Sequence, residues 1–132
     1  MKEAGFNAIR SAHNPCSRAL LSACDEYGMY VMDEAFDGWY IPKTKNDYGL
    51  DFYDNYRNDL SAMVKKDVNH PSVIMYSVGN EVTETVSEKG IELSGETANL
   101  VRNLDGSRPV TCGINLFLNG ITSKGMGVYK KG

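Results

Sequence analysis

Met29-Tyr30-Val31-Met32-Asp33-Glu34 is the stretch on which the reading of the fold turns. Four apolar residues in a row, without alternation, suit a strand covered on both faces, as in parallel sheets flanked by helices. Gly28 stands immediately before it and closes a helical segment that begins at Ser17, a residue suited to the N-cap. Within that helix Leu20, Ala23, Cys24 and Tyr27 recur at helical spacing and form the expected inner face.

Working outward, the same alternation repeats. Upstream, Phe6–Arg10 reads as a short strand, followed by a loop over residues 11–16 that turns at Asn14-Pro15. Downstream, a long loop from Asp33 to about Leu50 carries Phe36, Trp39, Tyr40 and Pro42. Asp51 can cap the next helix, whose inner face is Phe52, Tyr56, Leu60, Met63 and Val64. Pro71 disfavours helix at His70, so this helix stops near Val68. Val73–Val78 is a second buried strand. A third helix over Ser87–Asp105 turns Ile91, Ala98, Val101 and Leu104 inward, with Gly95 in its interior and Gly106 at C′. Arg108–Cys112 is the last strand. From Gly113 the tail is glycine-rich, ends in Lys130-Lys131 and shows no clear period.

The order β-α-β-α-β-α-β predicts an α/β fold with a parallel sheet and right-handed crossovers. A small doubly wound sheet and a segment of a (β/α)₈ barrel both fit. Met1-Lys2-Glu3-Ala4-Gly5 reads as the last turn of a helix closed by glycine. So short a helix cannot nucleate itself, so the expectation is a chain cut from something longer.

Composition narrows the function classes. The 132 residues are 42% hydrophobic and 23% charged, a globular balance, and the net charge of −3 gives no electrostatic case for nucleic acid or an anionic membrane. No apolar run approaches the roughly 20 residues that span a bilayer. Cys16, Cys24 and Cys112 form no CxxC pair and read as reduced, packed thiols. No secretory signal pattern opens the chain, and the expected compartment is cytoplasmic.

In either architecture the functional edge lies at the carboxyl ends of the strands. The first strand delivers Arg10, then His13 and Asn14. The second delivers Asp33-Glu34, then Asp37 and Trp39, and the third delivers Asn80-Glu81. Carboxylates, an amide, an imidazole and an indole on one rim suit carbohydrate chemistry, in which two carboxyl groups cleave the glycosidic bond. No phosphate loop, GxGxxG, HExxH or clustered His/Cys set appears. Each residue also has a plain structural reading. Arg10 could pair with Asp33 or Glu34, Asn80 could close an Asx-turn, His13 could be a loop histidine, and Trp39 could be packing rather than a sugar platform. His70 reads as structural.

Three ordered blocks carry a stronger signal than any single motif. They are Met1–Pro15 (MKEAGFNAIRSAHNP), Cys24–Glu34 (CDEYGMYVMDE) and Asn69–Glu81 (NHPSVIMYSVGNE). Together they resemble the catalytic barrel of glycoside hydrolase family 2, the family of β-galactosidases, β-glucuronidases and β-mannosidases, with the β-galactosidase-like branch nearest. The resemblance implies a partial (β/α)₈ barrel over 1–132, about four parallel strands and three crossover helices, roughly the second to fifth strands.

It also implies roles. Glu81 matches the general acid/base and Asn80 the residue that hydrogen-bonds the sugar's 2-hydroxyl. His13 matches a histidine near the reacting ring, and Arg10 an arginine that braces the catalytic carboxylates. Asp33 and Glu34 match the acidic pair ending the neighbouring strand. Asn80, His13, Arg10, Glu34 and Trp39 form the expected substrate-binding set.

The family's nucleophilic glutamate lies on a later strand, beyond Gly132, so this chain alone is expected to be inactive on β-glycosides. The alternative is a non-catalytic sugar- or protein-binding module derived from a truncated glycosidase. The expected partner is a carbohydrate, with no nucleic acid, no membrane, and self-association of the fragment through exposed strand edges. No cofactor is expected. Some relatives hold Mg²⁺ or Na⁺ near the site, with no ligand set assignable to these residues.

Overall fold

Four strands lie side by side in chain order and run parallel: β1 (Ala8–Arg10), β2 (Tyr30–Glu34), β3 (Val73–Ser77) and β4 (Val110–Thr111). The computed structural model describes residues 1–126. Helices α1 (Arg18–Tyr27), α2 (Phe52–Asp67) and α3 (Glu88–Leu104) make the three crossovers, and α4 (Leu116–Ser123) follows β4. A doubly wound sheet reverses its strand order at a switch point. This sheet does not reverse, and the arrangement is an arc of a (β/α)₈ barrel.

Local chemistry explains where the elements start and stop. The Ser17 hydroxyl accepts from the Leu20 amide at 3.2 Å and starts α1, and Gly28 ends it in the left-handed region at φ 65°. Gly5 closes the short 3₁₀ turn Lys2–Ala4 in the same way, at φ 86°. The α2 stripe Phe52, Tyr56, Leu60, Met63 and Val64 is buried as its spacing predicts. Phe52 and Tyr56 stack in parallel with ring centroids 4.8 Å apart. Asp51 occupies the N-cap position of α2 without a side-chain capping bond, its backbone already committed to the preceding 3₁₀ turn Tyr48–Leu50.

The amino end of the sheet is tied by side chains. Asp25 accepts from the Ser72 amide at 2.9 Å and lies 2.6 Å from His70 Nδ1. Arg108 donates to the backbone of Val73 and His70 and pairs with buried Asp105. Burial alone would raise the Asp105 pKa, but donors from Ser107 and Arg108 outweigh it and hold the carboxyl down to about 2. His70 is therefore a structural residue.

Four expectations need correction. The buried residues of α1 are Leu21 and Cys24, whereas Leu20 and Tyr27 are exposed along an open groove with Met1, Ile9 and Met29. The buried stripe of α3 is Gly90, Leu93, Thr97 and Val101, and Ile91 is exposed. The capping bond from the Gly90 amide to Ser87 fixes that rotation, because Gly90 must face the preceding turn. The strands are not covered on both faces, since Tyr30 and Ile74 remain exposed. The stretch after Gly113 is helical: Asn115 Oδ1 accepts from the amides of Phe117 and Leu118 and starts α4. The Lys130-Lys131 pair lies outside the described residues.

Within the sheet, side chains alternate. Met32 pairs with Met75 and Glu34 with Ser77 on one face, and Asp33 pairs with Tyr76 on the other. A register irregularity sits between Val31 and Met32 where β2 meets β3. The first face lines a concavity of about 690 Å³ that includes Arg10, Glu34, Asn80, Glu81 and Asn115.

Candidate active site

Glu34 is the hub of the concave face. Its carboxylate is almost fully buried and accepts from Arg10 Nε at 3.0 Å, Arg10 Nη2 at 2.9 Å and the Ser77 hydroxyl at 2.8 Å. His13 Nδ1 lies 2.7 Å from its other oxygen. Both oxygens lie within hydrogen-bond distance of Arg10, Ser77 or His13 and the side chain is almost fully buried, so in this arrangement Glu34 acts as a brace for Arg10. Desolvating a carboxylate in this way is tolerable only because charged and neutral donors surround it.

Arg10 carries the connection onward. Its Nη2 donates to Asn80 Oδ1 at 2.6 Å, and Asn80 Nδ2 donates to Asp37 Oδ1 at 2.9 Å. Both ends of the Asn80 amide are therefore assigned, and one N–H of Nδ2 is left over. Burial works against ionisation of Asp37, but donors from Asn80 and Lys43 outweigh it and keep the carboxyl below its usual range.

Glu81 follows directly. It is exposed, and among the described residues it is the single non-glycine with positive φ, at 47°. Left-handed backbone is costly for a residue with a β-carbon. Neighbours hold it there: Gly113 donates to the Gly79 carbonyl at 2.7 Å and Val82 to the Gly113 carbonyl at 3.2 Å. Asn115 Nδ2 donates to Glu81 Oε1 at 2.9 Å.

Asp33 sits on the opposite face of β2, fully buried against the helices. Its Oδ1 accepts from the Cys16 amide at 2.9 Å and the Ser11 hydroxyl at 3.2 Å, and Oδ2 has no partner among the described residues. Burial, then the adjacent Asp67 carboxyl, pushes its pKa up to about 7. The Ser11 hydroxyl also accepts from the Glu34 amide at 2.8 Å, so one oxygen joins the two faces.

Trp39 is fully buried and its indole N–H donates to the Val78 carbonyl at 2.8 Å. It packs against Phe52 and cannot serve as a sugar platform, which corrects the substrate-binding expectation for it. The structure thus brings Arg10, His13, Glu34, Asn80 and Glu81 to one rim and removes Trp39 from it. It also adds Ser77, Lys43 and Asn115, which the sequence reading passed over. Asn115 carried one legible signal, a capping residue directly before the apolar run Leu116-Phe117-Leu118. Lys43 carried none.

Among the described residues no group of three or more His, Cys, Asp or Glu side chains is arranged to hold a metal ion. Glu34, whose lone pairs face Arg10, His13 and Ser77, does not fit a Mg²⁺ or Na⁺ ligand. No helix among the described residues is long and apolar enough to cross a membrane.

A profile described as "Glycosyl hydrolases family 2, TIM barrel domain" matches residues 1–130. This chain belongs to glycoside hydrolase family 2. Its family 2 relatives include Beta-galactosidase BoGH2A from Bacteroides ovatus, 48% identical over 108 residues, which is 81% of this chain and 13% of that protein. The Beta-glucuronidase of Homo sapiens is 35% identical over 108 residues, 81% of this chain and 16% of that protein. Among solved structures, a glycosyl hydrolase family 2 member from Bacteroides cellulosilyticus superposes with a TM-score of 0.84 at 48% identity. The overlap covers 86% of this chain and 15% of that one. The chain therefore spans only about one eighth to one sixth of the length of these family 2 proteins.

Proposed function

We propose that these residues form the acid/base side of a retaining β-glycoside hydrolase of β-galactosidase type. Glu81 protonates the leaving oxygen and then deprotonates the attacking water. Asn80 offers its remaining N–H to the sugar's 2-hydroxyl, and His13 stands beside the reacting ring. Arg10 and Glu34 hold this group in place. The nucleophile is a glutamate outside these 132 residues, about 5–5.5 Å from Glu81 as retention requires.

One observation carries the reading. Glu81 is presented to the open concavity in a costly left-handed conformation, directly after an asparagine wired through Arg10 to a buried carboxylate. Costly backbone that neighbours enforce is characteristic of functional positions. The 48% identity to a protein named beta-galactosidase supports the choice of sugar.

The test uses the polypeptide encoded by the whole reading frame, whatever its length. Glu81→Gln should lower kcat by about 10²-fold or more on alkyl β-galactosides, in line with the value of general acid catalysis. It should slow the first-turnover release of a nitrophenolate much less, because that leaving group needs no proton, while later turnovers wait on hydrolysis of the intermediate, which has lost its base. Equal activity of Glu81→Gln and wild type on alkyl galactosides overturns the assignment. A higher kcat/KM on an aryl β-glucuronide than on the aryl β-galactoside overturns the sugar. The 132-residue chain by itself should be inert, and turnover by it that Glu81→Gln abolishes overturns the placement of the nucleophile.

A further inference from the structure

Lys43 lies in the loop between β2 and α2, outside every motif in the sequence, yet its partly exposed ammonium is held against the site. An ammonium has three N–H donors. Here the three acceptors in reach are the Asp37 carbonyl, Asp37 Oδ1 at 3.0 Å and the Asn80 carbonyl at 2.9 Å. The Asn80 carbonyl belongs to the peptide that joins Asn80 to Glu81. Fixing that peptide plane fixes the geometry from which Glu81 takes its φ of 47°. The Asp37 oxygen that Lys43 grips also receives the Asn80 side-chain amide at 2.9 Å.

We propose that Lys43, acting through Asp37, is the positioning residue that sets the Asn80 amide orientation and the Asn80–Glu81 peptide for catalysis. This rests on the proposed roles of Asn80 and Glu81 and adds the device that aims them. Arg10 alone does not suffice. It grips only the oxygen end of the Asn80 amide, and the Gly113 and Val82 bonds hold the backbone on either side of the Asn80 carbonyl without bonding to that carbonyl or to the amide nitrogen. Lys43 and Asp37 close the other side, so the amide is clamped from both ends. A point charge with three rotatable donors suits three acceptors converging on one spot, whereas a planar guanidinium does not.

The first readout needs no activity. In isotope-labelled protein, Lys43→Met and Asp37→Ala should both shift the Asn80 side-chain amide signals and change the three-bond HN–Hα coupling of Glu81. The methyl signals of Val31 and Val64 should stay in place. If neither the amide nor the coupling moves, or if the core methyls move as much, the proposal is overturned. Asp37 is half exposed, so Asp37→Ala carries this readout if Lys43→Met does not fold.

The second readout is kinetic, in the polypeptide encoded by the whole reading frame. Lys43→Met should lower kcat about 10²-fold, the typical cost of a misplacement near 1 Å, with KM changed less than about threefold. The rate lost on removing the substrate's 2-hydroxyl should shrink by about tenfold in the variant, because Asn80 no longer presents its N–H. Lys43→Arg should not restore either quantity. A full 2-hydroxyl penalty in Lys43→Met, or wild-type kcat, overturns the proposal. If the spectra change as expected while Glu81→Gln keeps full activity, the clamp stands and the catalytic reading of the site is what fails.

Discussion

A β-carbon placed on Gly90 would lie 1.8 Å from the carbonyl oxygen of Glu84. Backbone meets backbone here, so no side chain can swing aside to make room. The Glu84 carboxylate is itself buried and accepts from the Ile41 amide at 2.8 Å, joining the β2–α2 loop to the turn that precedes α3. Gly90→Ala should therefore cost about 2 kcal/mol or more, in the range of overpacking. It should also loosen the turn that follows Glu81. Denaturant unfolding measures the loss, and a change below about 0.5 kcal/mol contradicts the close packing.

Gly95 gives the opposite expectation. It lies inside α3, is exposed, and a β-carbon there would meet nothing within 4 Å. Gly95→Ala should stabilise the protein by about 0.5–1 kcal/mol, because alanine loses less backbone entropy on entering a helix. A lower thermal midpoint in the variant would rule this out.

Asp33 predicts a pH dependence. Its pKa is raised from 3.8 to about 7, so the folded protein holds this proton more tightly than the unfolded chain does. The resulting stabilisation is full below about pH 4 and is lost as the pH rises to about 7. The facing groups are Ser11, Cys16, Asp67 and Lys66, with Tyr76 beneath. Asp25, Asp37 and Asp105 have lowered pKa values and act in the opposite sense, losing stability as the pH falls. The difference between wild type and Asp33→Asn isolates the first effect. Wild type should be favoured at pH 5 relative to pH 8, by chemical denaturation at the two values. A difference that grows with pH instead would refute the assignment.

The exposed apolar surface predicts association. Phe6, Tyr27 and Tyr30 flank the β1 side of the sheet, and Leu116 and Phe117 stand out beyond β4. Unpaired strand edges and apolar patches of this kind drive chains together. The 132-residue chain should elute as dimers or larger species at micromolar concentration. A monomer by light scattering, unchanged on dilution, would argue against it.

The parts of the fold legible in the sequence were those set by local chemistry. Ser17 and Gly28 bracket α1 because a hydroxyl and a missing β-carbon act within one turn of themselves. The α2 stripe was legible because a single period spans four turns. The rotation of α3 was not, because the close approach of Gly90 to the Glu84 carbonyl in the preceding turn, together with the Ser87 cap, decides it, and the apolar Ile91 misled. At the site, Glu81, Asn80, Arg10 and His13 could be placed from strand ends. Glu34 and Trp39 could not be sorted into brace and packing by residue type, because burial and partner geometry decide that. Lys43 has no sequence signal, since its importance arises wholly from where a long loop folds back.

The irregularity between Val31 and Met32 has a further bearing on this rim. Side chains along a strand switch sides at every step, so a slip of one position inverts the whole strand. Asp33 and Glu34 are neighbours with opposite surroundings, one among helices and one among cations. The extra residue lies on β3, where Ile74 stands between the partners of Val31 and Met32, so that irregular step acts as a phase shift for β3, bringing Ser77 rather than Tyr76 to the Glu34 side.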